Sequence, residues 1–197
     1  MKFIKLANYL FHPMWIPTFG TFYFFLQSPS YNEPQIIGAK LLAVSVLTFF
    51  LPVVILFVLR YFRQIETYEL KEVKERKLPL LLFTIIAGFI IRYVFSYYSF
   101  PAMNQFFMGI FITGVIMTLA AIAGFKISLH TAGVSGLLVF VYLLTYYYSF
   151  PGLTGLSFLF FALGWTFSAR LASNAHSVTE LLLGILAGSI PQLLIFL

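Results

Sequence analysis

The chain has 197 residues, of which 61% are hydrophobic and only 9% are charged, and its formal net charge is +6. It contains no cysteine, which excludes disulfides, thiolate zinc sites and cysteine nucleophiles. The basic residues are scattered between apolar stretches and form no long tract. We therefore expect membrane lipids, and not nucleic acid, as partners.

Seven apolar segments follow one another along the chain, and several approach or exceed the roughly 20 residues that a helix needs to cross a bilayer. They predict an all-α, polytopic transmembrane helical bundle of six to seven helices, forming one domain over residues 1–197. Pro13 and Pro17 interrupt the first segment, which predicts a kinked or half-inserted helix there. The predicted segments are 10–27, 36–61, 79–98, 105–125, 130–148, 152–169 and 177–196.

The longest polar stretch runs from Arg60 to Pro79, and its alternating charges predict a short surface helix that ends where Pro79 starts the next span. The pentapeptide YYSFP occurs twice, at 97–101 and at 147–151, and interfacial tyrosines with a proline turn account for both copies. If both copies turn at one membrane face, the other connections share the opposite face. The positive-inside rule makes that second face cytoplasmic, in the cell (inner) membrane.

Ionisable side chains become scarce in the second half of the chain. After Lys77 only four formally charged residues remain, which are Arg92, Lys126, Arg170 and Glu180. His176 and Glu180 are four residues apart, so they share one helix face, and a carboxylate bonded to one imidazole nitrogen leaves the other nitrogen free as a base or nucleophile. Arg170 lies six residues before His176, in the predicted turn, where its planar fork of donors could clamp two phosphate oxygens.

Two further polar groups belong to the same predicted face. Ser128 and His130 stand at the predicted N-terminus of the fifth segment, where backbone N–H groups and the helix dipole favour an anion and a histidine could protonate a departing oxygen. The sequence KEVKERKLP at 71–79 supplies the cations Lys71, Arg76 and Lys77, which would neutralise a phosphoryl group. Each group also has a structural interpretation: an interfacial histidine bonded to backbone, and a solvated juxtamembrane helix.

Together these residues resemble the type 2 phosphatidic acid phosphatase superfamily, the membrane lipid phosphatases that share a helical core with vanadium haloperoxidases. Its signature has three parts: lysine, six residues, arginine, proline; then proline, serine, glycine, histidine; then serine, arginine, five residues, histidine, three residues, aspartate. Here the parts read Lys71, six residues, Leu78, Pro79; then Ile127, Ser128, Leu129, His130; then Ala169, Arg170, five residues, His176, three residues, Glu180. The resemblance covers residues 60–197, a phosphatase-like core, and leaves the helices of 1–59 without motif support.

The resemblance implies a metal-independent lipid phosphatase that needs no cofactor. His176 would attack phosphorus to form a phosphohistidine, Glu180 would orient it, and His130 would protonate the leaving oxygen. Lys71, Ser128 and Arg170 would hold the phosphoryl oxygens of a lipid phosphate. The family's first arginine is Leu78 here, so Arg76 or Lys77 would have to supply its charge, and the glycine of the second part is Leu129.

Two alternatives remain open at this point. The lost arginine and the altered glycine suit a non-catalytic protein that binds or transports a lipid phosphate on the same fold. Two imidazoles and a carboxylate, from His130, His176 and Glu180, could also form a zinc site. His12, between Phe11 and Pro13, is interpreted as structural or interfacial.

Overall fold

The computed structural model describes residues 2–28, 33–70 and 72–197, and the side chains from Phe3 onward within those ranges. The described residues form helices and connecting turns, with no strand among them. In chain order the helices are α1 Lys2–Leu10, α2 Ile16–Gln27, α3 Pro34–Tyr61, α4 Val73–Val94, α5 Pro101–Ile122, α6 Leu129–Tyr148, α7 Leu153–Ala172 and α8 Val178–Phe196.

Helices α3 to α8 are each long and apolar enough to cross a membrane. The predicted all-α helical bundle is therefore confirmed, and the protein is an integral membrane protein by the length and composition of these six helices. Helix α6 is the most enclosed of them, and it packs against α2, α5, α7 and α8. One cluster of buried apolar side chains includes residues from α1 to α8.

The first predicted segment is divided into α1, a turn at 11–15, and α2. At 12 residues, α2 is shorter than the roughly 20 residues of a full crossing. The ring of His12, just before α2, nevertheless lies 5.1 Å from His130 at the start of α6, and Phe25, near its end, lies 5.9 Å from Phe100 at the start of α5. The kinked segment thus joins the two ends of the bundle.

Both YYSFP turns lie at the same end of the bundle, which meets the condition set by the sequence analysis. Phe24 packs against Phe150 of the second copy at 5.8 Å, while the adjacent Phe25 packs against Phe100 of the first copy. The opposite end therefore holds the α3–α4, α5–α6 and α7–α8 connections, which contain the three motif parts.

The prediction that Pro79 starts a span was wrong. Helix α4 begins at Val73 and includes Pro79 in its interior, so Arg76 belongs to the spanning helix and not to a separate surface helix. Proline removes one backbone N–H donor there. The side chain of Glu75 is buried and accepts a hydrogen bond from the N–H of Glu66, which fastens the preceding loop to the start of α4.

Helices α6 and α8 approach each other closely because both carry small residues at their contact. A Cβ atom on Gly188 would lie 2.0 Å from the carbonyl oxygen of Ala132. The hydroxyls of Thr131 and Ser135 donate to the α8 carbonyls of Leu181 and Ile185, at 3.0 and 3.1 Å. This contact fixes the start of α6 against the start of α8, and so positions the second motif part beside the third.

The other end of the bundle is closed by polar side chains at the end of α4. Its last turn, Ile90–Val94, is π-helical, which leaves carbonyls without their usual helical donors. The amide of Asn104 donates to the carbonyls of Phe95 at 2.7 Å and Ile91 at 3.3 Å, and the Lys40 ammonium donates to the carbonyl of Val94. These contacts stabilise the π turn.

Candidate active site

The three connections meet through backbone contacts. The Ser128 N–H, in the α5–α6 connection, donates to the Glu180 carbonyl in the first turn of α8 at 3.2 Å. From α4, the Arg76 Nη1 donates to the carbonyl of Ile127 at 3.1 Å, and its Nε donates to the carbonyl of Leu70 at 2.8 Å. The described residues of the three motif parts thus lie together at this end of the bundle, as the topology predicted.

His176 and Glu180 form a hydrogen-bonded pair at the start of α8. The Nδ1 atom of His176 lies 2.6 Å from the Oε2 atom of Glu180. Ser177 caps α8: its hydroxyl accepts from the Glu180 N–H at 3.3 Å, and the Glu180 carboxylate accepts from the Ser177 N–H at 3.3 Å. The capping box fixes the carboxylate, which in turn fixes the imidazole with its proton on Nδ1.

The surroundings of His176 favour its neutral form. Its side chain is 2% exposed, and this burial lowers the pKa of His176 below its ordinary value of 6.5. The hydrogen bond with Glu180 opposes that shift, whereas the positive charges of Arg170 and Arg76 add to it. A neutral imidazole with Nδ1 engaged by a carboxylate has its lone pair on Nε2, which is the arrangement a nucleophile needs.

Two arginines bring positive charge to this pair. Arg76 is 6% exposed. Arg170 was predicted to lie in the turn after the segment 152–169, but α7 continues to Ala172, so Arg170 lies in the last turn of that helix. The Nε atom of Arg170 is buried without a hydrogen-bond partner among the described residues. The Arg170 charge acts on Arg76, His130 and His176, while the Glu69 carboxylate acts on Arg170.

His130 is the second residue of α6, at the helix end that the sequence predicted. Its Nε2 atom lies 3.2 Å from the carbonyl oxygen of Asn8, in α1. Because a carbonyl accepts only, Nε2 carries the proton and Nδ1 is the nitrogen left to exchange one. His176 also acts electrostatically on His130.

The remaining predicted site residues are not equivalent. Ser128 is fully buried and caps α6, accepting from the Thr131 N–H at 3.4 Å, so a phosphate contact would have to replace that bond. Lys77 and Leu78 are both exposed, Leu78 at 42%. Of the two cations that could replace the missing arginine, Arg76 is the buried one, and it is hydrogen-bonded to Ile127 beside Ser128. Lys71 lies outside the described residues.

The sequence did not reveal two contributors from the N-terminal region, His12 and Asn8. His12 meets His130 edge to face. Asn8 supplies the carbonyl that is hydrogen-bonded to His130. The topology could have indicated His12. If the first segment runs from one end of the bundle to the other, the residues before α2 lie at the end that contains the three motif parts. Nothing in the local sequence marks Asn8, whose role depends on tertiary packing.

A small apolar cleft, with a cavity volume of about 70 Å³, lies inside the bundle between α2, α4, α5, α6 and α8. Its lining begins at Pro13 and Leu129, the sequence neighbours of His12 and His130, and reaches Gln192 in α8. Leu129, which stands where the family motif has glycine, therefore forms part of the cleft wall.

Within the described ranges no three histidine or acidic side chains are arranged to hold a metal ion. The zinc interpretation therefore lacks a ligand set, since Glu180 engages Nδ1 of His176 and Asn8 engages Nε2 of His130. Comparison of the chain with protein-family models, with curated protein sequences and with solved structures finds no match.

Proposed function

We propose that the protein is an integral membrane phosphatase or phosphotransferase that acts on a lipid phosphate monoester or diphosphate through a phosphohistidine on His176. One observation carries the proposal: the Nε of Arg170 is buried without a hydrogen-bond partner among the described residues. It belongs to a site that also contains Arg76 and a neutral His176 bonded to the Glu180 carboxylate. An uncompensated buried donor beside clustered positive charge favours an anion, and planar guanidinium groups suit phosphate.

The proposed reaction uses these groups in two steps. The Nε2 lone pair of His176 attacks phosphorus, while Nδ1–H remains bonded to Glu180, which stabilises the imidazolium that forms. The bond from phosphorus to the leaving oxygen breaks, and His130, once the negative charge of the bound phosphate has favoured its protonation on Nδ1, donates that proton to the oxygen. Arg170 and Arg76 stabilise the negative charge on the equatorial phosphoryl oxygens.

Hydrolysis of the intermediate uses the same groups in reverse. His130, now neutral, accepts a proton from water, and the resulting oxygen nucleophile attacks phosphorus to release inorganic phosphate and neutral His176. An alcohol in place of water would give transfer to a second acceptor. The resemblance of the three motif parts to type 2 phosphatidic acid phosphatases supports this order of events.

The apolar cleft supports a lipid as the substrate. Its walls are mostly apolar side chains and glycines, and they include Pro13 and Leu129, which adjoin His12 and His130 in the sequence. Hydrocarbon is the chemistry that such walls accommodate. Phosphatidic acid, a phosphatidylglycerophosphate and isoprenyl phosphates share this combination of anionic head and apolar tail.

A non-catalytic lipid-phosphate binding or transport protein is the second candidate. It is favoured by the hydrogen bonds that Arg76 and Ser128 already make to the protein, because these reduce the donors free to stabilise a transition state. Such a protein would bind the headgroup or move the lipid without releasing phosphate.

Phosphate release from a lipid panel separates the two candidates. The detergent-purified protein is incubated with phosphatidic acid, phosphatidylglycerophosphate and isoprenyl mono- and diphosphates, without added metal and again with chelator. We expect release that His176→Ala abolishes, while Thr179→Ala, an exposed neighbour in the same turn, retains it. Headgroup binding with no release from any lipid would instead favour the second candidate.

The site is proposed to face the cytoplasm, because the connections at its end of the bundle carry most of the basic residues. The absence of cysteine makes this directly testable with single introduced cysteines. A cysteine at exposed Asn174 should react with a membrane-impermeant maleimide only after the cells are opened, and one at exposed Ser96 should react in intact cells. The reverse pattern would contradict the orientation.

A further inference from the structure

The turn between α1 and α2 is packed against the site and is held from both sides. Ala7 and Phe11 are buried, at 0% and 6% exposure. The Asn8 amide donates to the Ser173 hydroxyl in the α7–α8 connection at 3.2 Å, and the Asn8 carbonyl engages Nε2 of His130. The turn that carries His12 is therefore attached to the elements that carry both site histidines.

His12 has a defined tautomer in this turn. The backbone N–H of Met14 donates to Nδ1 of His12 at 3.4 Å, so Nδ1 is an acceptor and the ring proton lies on Nε2. Burial, and then the charge of Arg170, lowers the pKa of His12 from its ordinary 6.5. A neutral ring in this orientation has one donor to offer, its Nε2–H.

The His12 ring that carries this Nε2–H donor lies against the ring of His130. The His12 and His130 rings meet edge to face, with centroids 5.1 Å apart and planes at 85°. His12 is partly buried, and Arg170 acts electrostatically on both rings. No side chain or backbone acceptor among the described residues is hydrogen-bonded to Nε2 of His12.

We propose that His12 is a third imidazole of the phosphate site and donates its Nε2–H to an oxygen of the bound phosphoryl group. This inference rests on the proposed function. It assigns to the N-terminal region, which contains none of the three motif parts, a hydrogen-bond donor that adds to those of Arg76 and Arg170. Because the chain has an exposed Leu78 where the family motif has arginine, the added donor offsets one that the chain lacks.

Binding of orthovanadate and of inorganic phosphate to the detergent-purified full chain tests the inference without requiring turnover. We expect His12→Ala to weaken binding about tenfold, which corresponds to one hydrogen bond to a charged group. His12→Gln retains a side-chain N–H donor and should bind within about threefold of the wild type. Tyr9→Ala, at a side chain on α1 that is 75% exposed, is the matched control and should bind as the wild type does.

The outcomes separate the inference from the proposed function. Wild-type binding of both anions that Arg170→Gln weakens but His12→Ala leaves unchanged would overturn the role of His12 alone. Equal weakening in the alanine and glutamine variants would also overturn it, because a side-chain N–H donor at position 12 would then not strengthen anion binding. A wild-type protein that binds neither anion would overturn the phosphate site and the role of His12 together. Thermal unfolding of each variant shows whether it is folded, and if His12→Ala is not, His12→Leu replaces it, because leucine fills the space without supplying a donor.

Discussion

Replacement of Glu180 by glutamine separates the two roles of this side chain. Glu180 belongs to the capping box of α8 and also accepts the Nδ1–H of His176 at 2.6 Å. Glutamine retains an acceptor oxygen for the Ser177 N–H, so the capping box persists and the free energy of unfolding should change by less than about 1 kcal/mol. What is lost is the negative charge that faces the imidazole.

The size of the catalytic effect follows from the hydrogen bond. A bond to a charged group contributes about 1.5–3 kcal/mol, and a neutral one about 0.5–1.5 kcal/mol. The difference of about 1–2 kcal/mol applies to the imidazolium that forms when His176 attacks, so Glu180→Gln should reduce the rate of phosphate release about 5- to 30-fold. Glu180→Ala should lose this and about 1 kcal/mol of stability as well, since the capping box is broken.

The pH dependence gives a second readout. The hydrogen bond to Glu180 raises the pKa of His176 against the lowering effects of burial and the two arginines, so a weaker acceptor lets that pKa fall further. The nucleophile is the neutral form, and activity on the acidic side should therefore persist to lower pH in Glu180→Gln than in the wild type. Phosphate release measured from pH 4 to 8 tests both effects. An active wild type whose rate and acidic limb are unchanged by Glu180→Gln would refute the role of the pair.

Three further predictions concern stability. Gly188→Ala should lower the free energy of unfolding by about 1–3 kcal/mol, because its Cβ would lie 2.0 Å from the Ala132 carbonyl oxygen. Gly164→Ala should raise the free energy of unfolding by about 0.5–1 kcal/mol, because a Cβ there meets nothing within 4 Å. Asn104→Ala should cost about 1–3 kcal/mol by leaving two carbonyls at the end of α4 without their donor. The wild type should lose stability as the pH falls below 6.5, since unfolded His176 then binds a proton that the folded site resists, and His176→Gln should lose less.

Thermal and denaturant unfolding in one detergent measure all three. Equal stability of the two glycine variants would contradict the close packing of α6 on α8. An Asn104→Ala variant as stable as the wild type would show that the π turn at the end of α4 does not depend on this amide. A parallel pH dependence in the wild type and His176→Gln would show that His176 titrates normally when the protein is folded.

The spans and the convergence of the polar connections could be predicted from the sequence. Apolar length sets the number of crossings, and the repeated YYSFP turns set which connections share a face. The four-residue spacing of His176 and Glu180 predicted their contact, but His176 precedes Ser177, the N-cap of α8, so the contact is made through the capping box and not across one helical turn. These features depend on local pattern or on counting.

The features that the sequence missed depend on helix phase and on tertiary contacts. Because α4 begins at Val73 and runs through Pro79, its helical phase buries Arg76 and exposes Lys77. A helix that started at Pro79 would not include either residue, so the sequence prediction could not distinguish between them. The role of His12 needs α1 to lie against α7, a packing secured by contacts such as Phe3 on Trp165 at 4.9 Å. Such contacts leave no periodic pattern in the sequence.

The measurement that tests the central claim most directly is chemical trapping of the intermediate. The protein is mixed with a lipid phosphate that it hydrolyses, denatured with alkali, which preserves a phosphoramidate bond, and digested for mass spectrometry. We predict phosphorylation at His176 in the wild type and its absence in His176→Ala. Phosphate release that continues in His176→Ala, or that proceeds in the wild type without any phosphorylated histidine, would contradict the account.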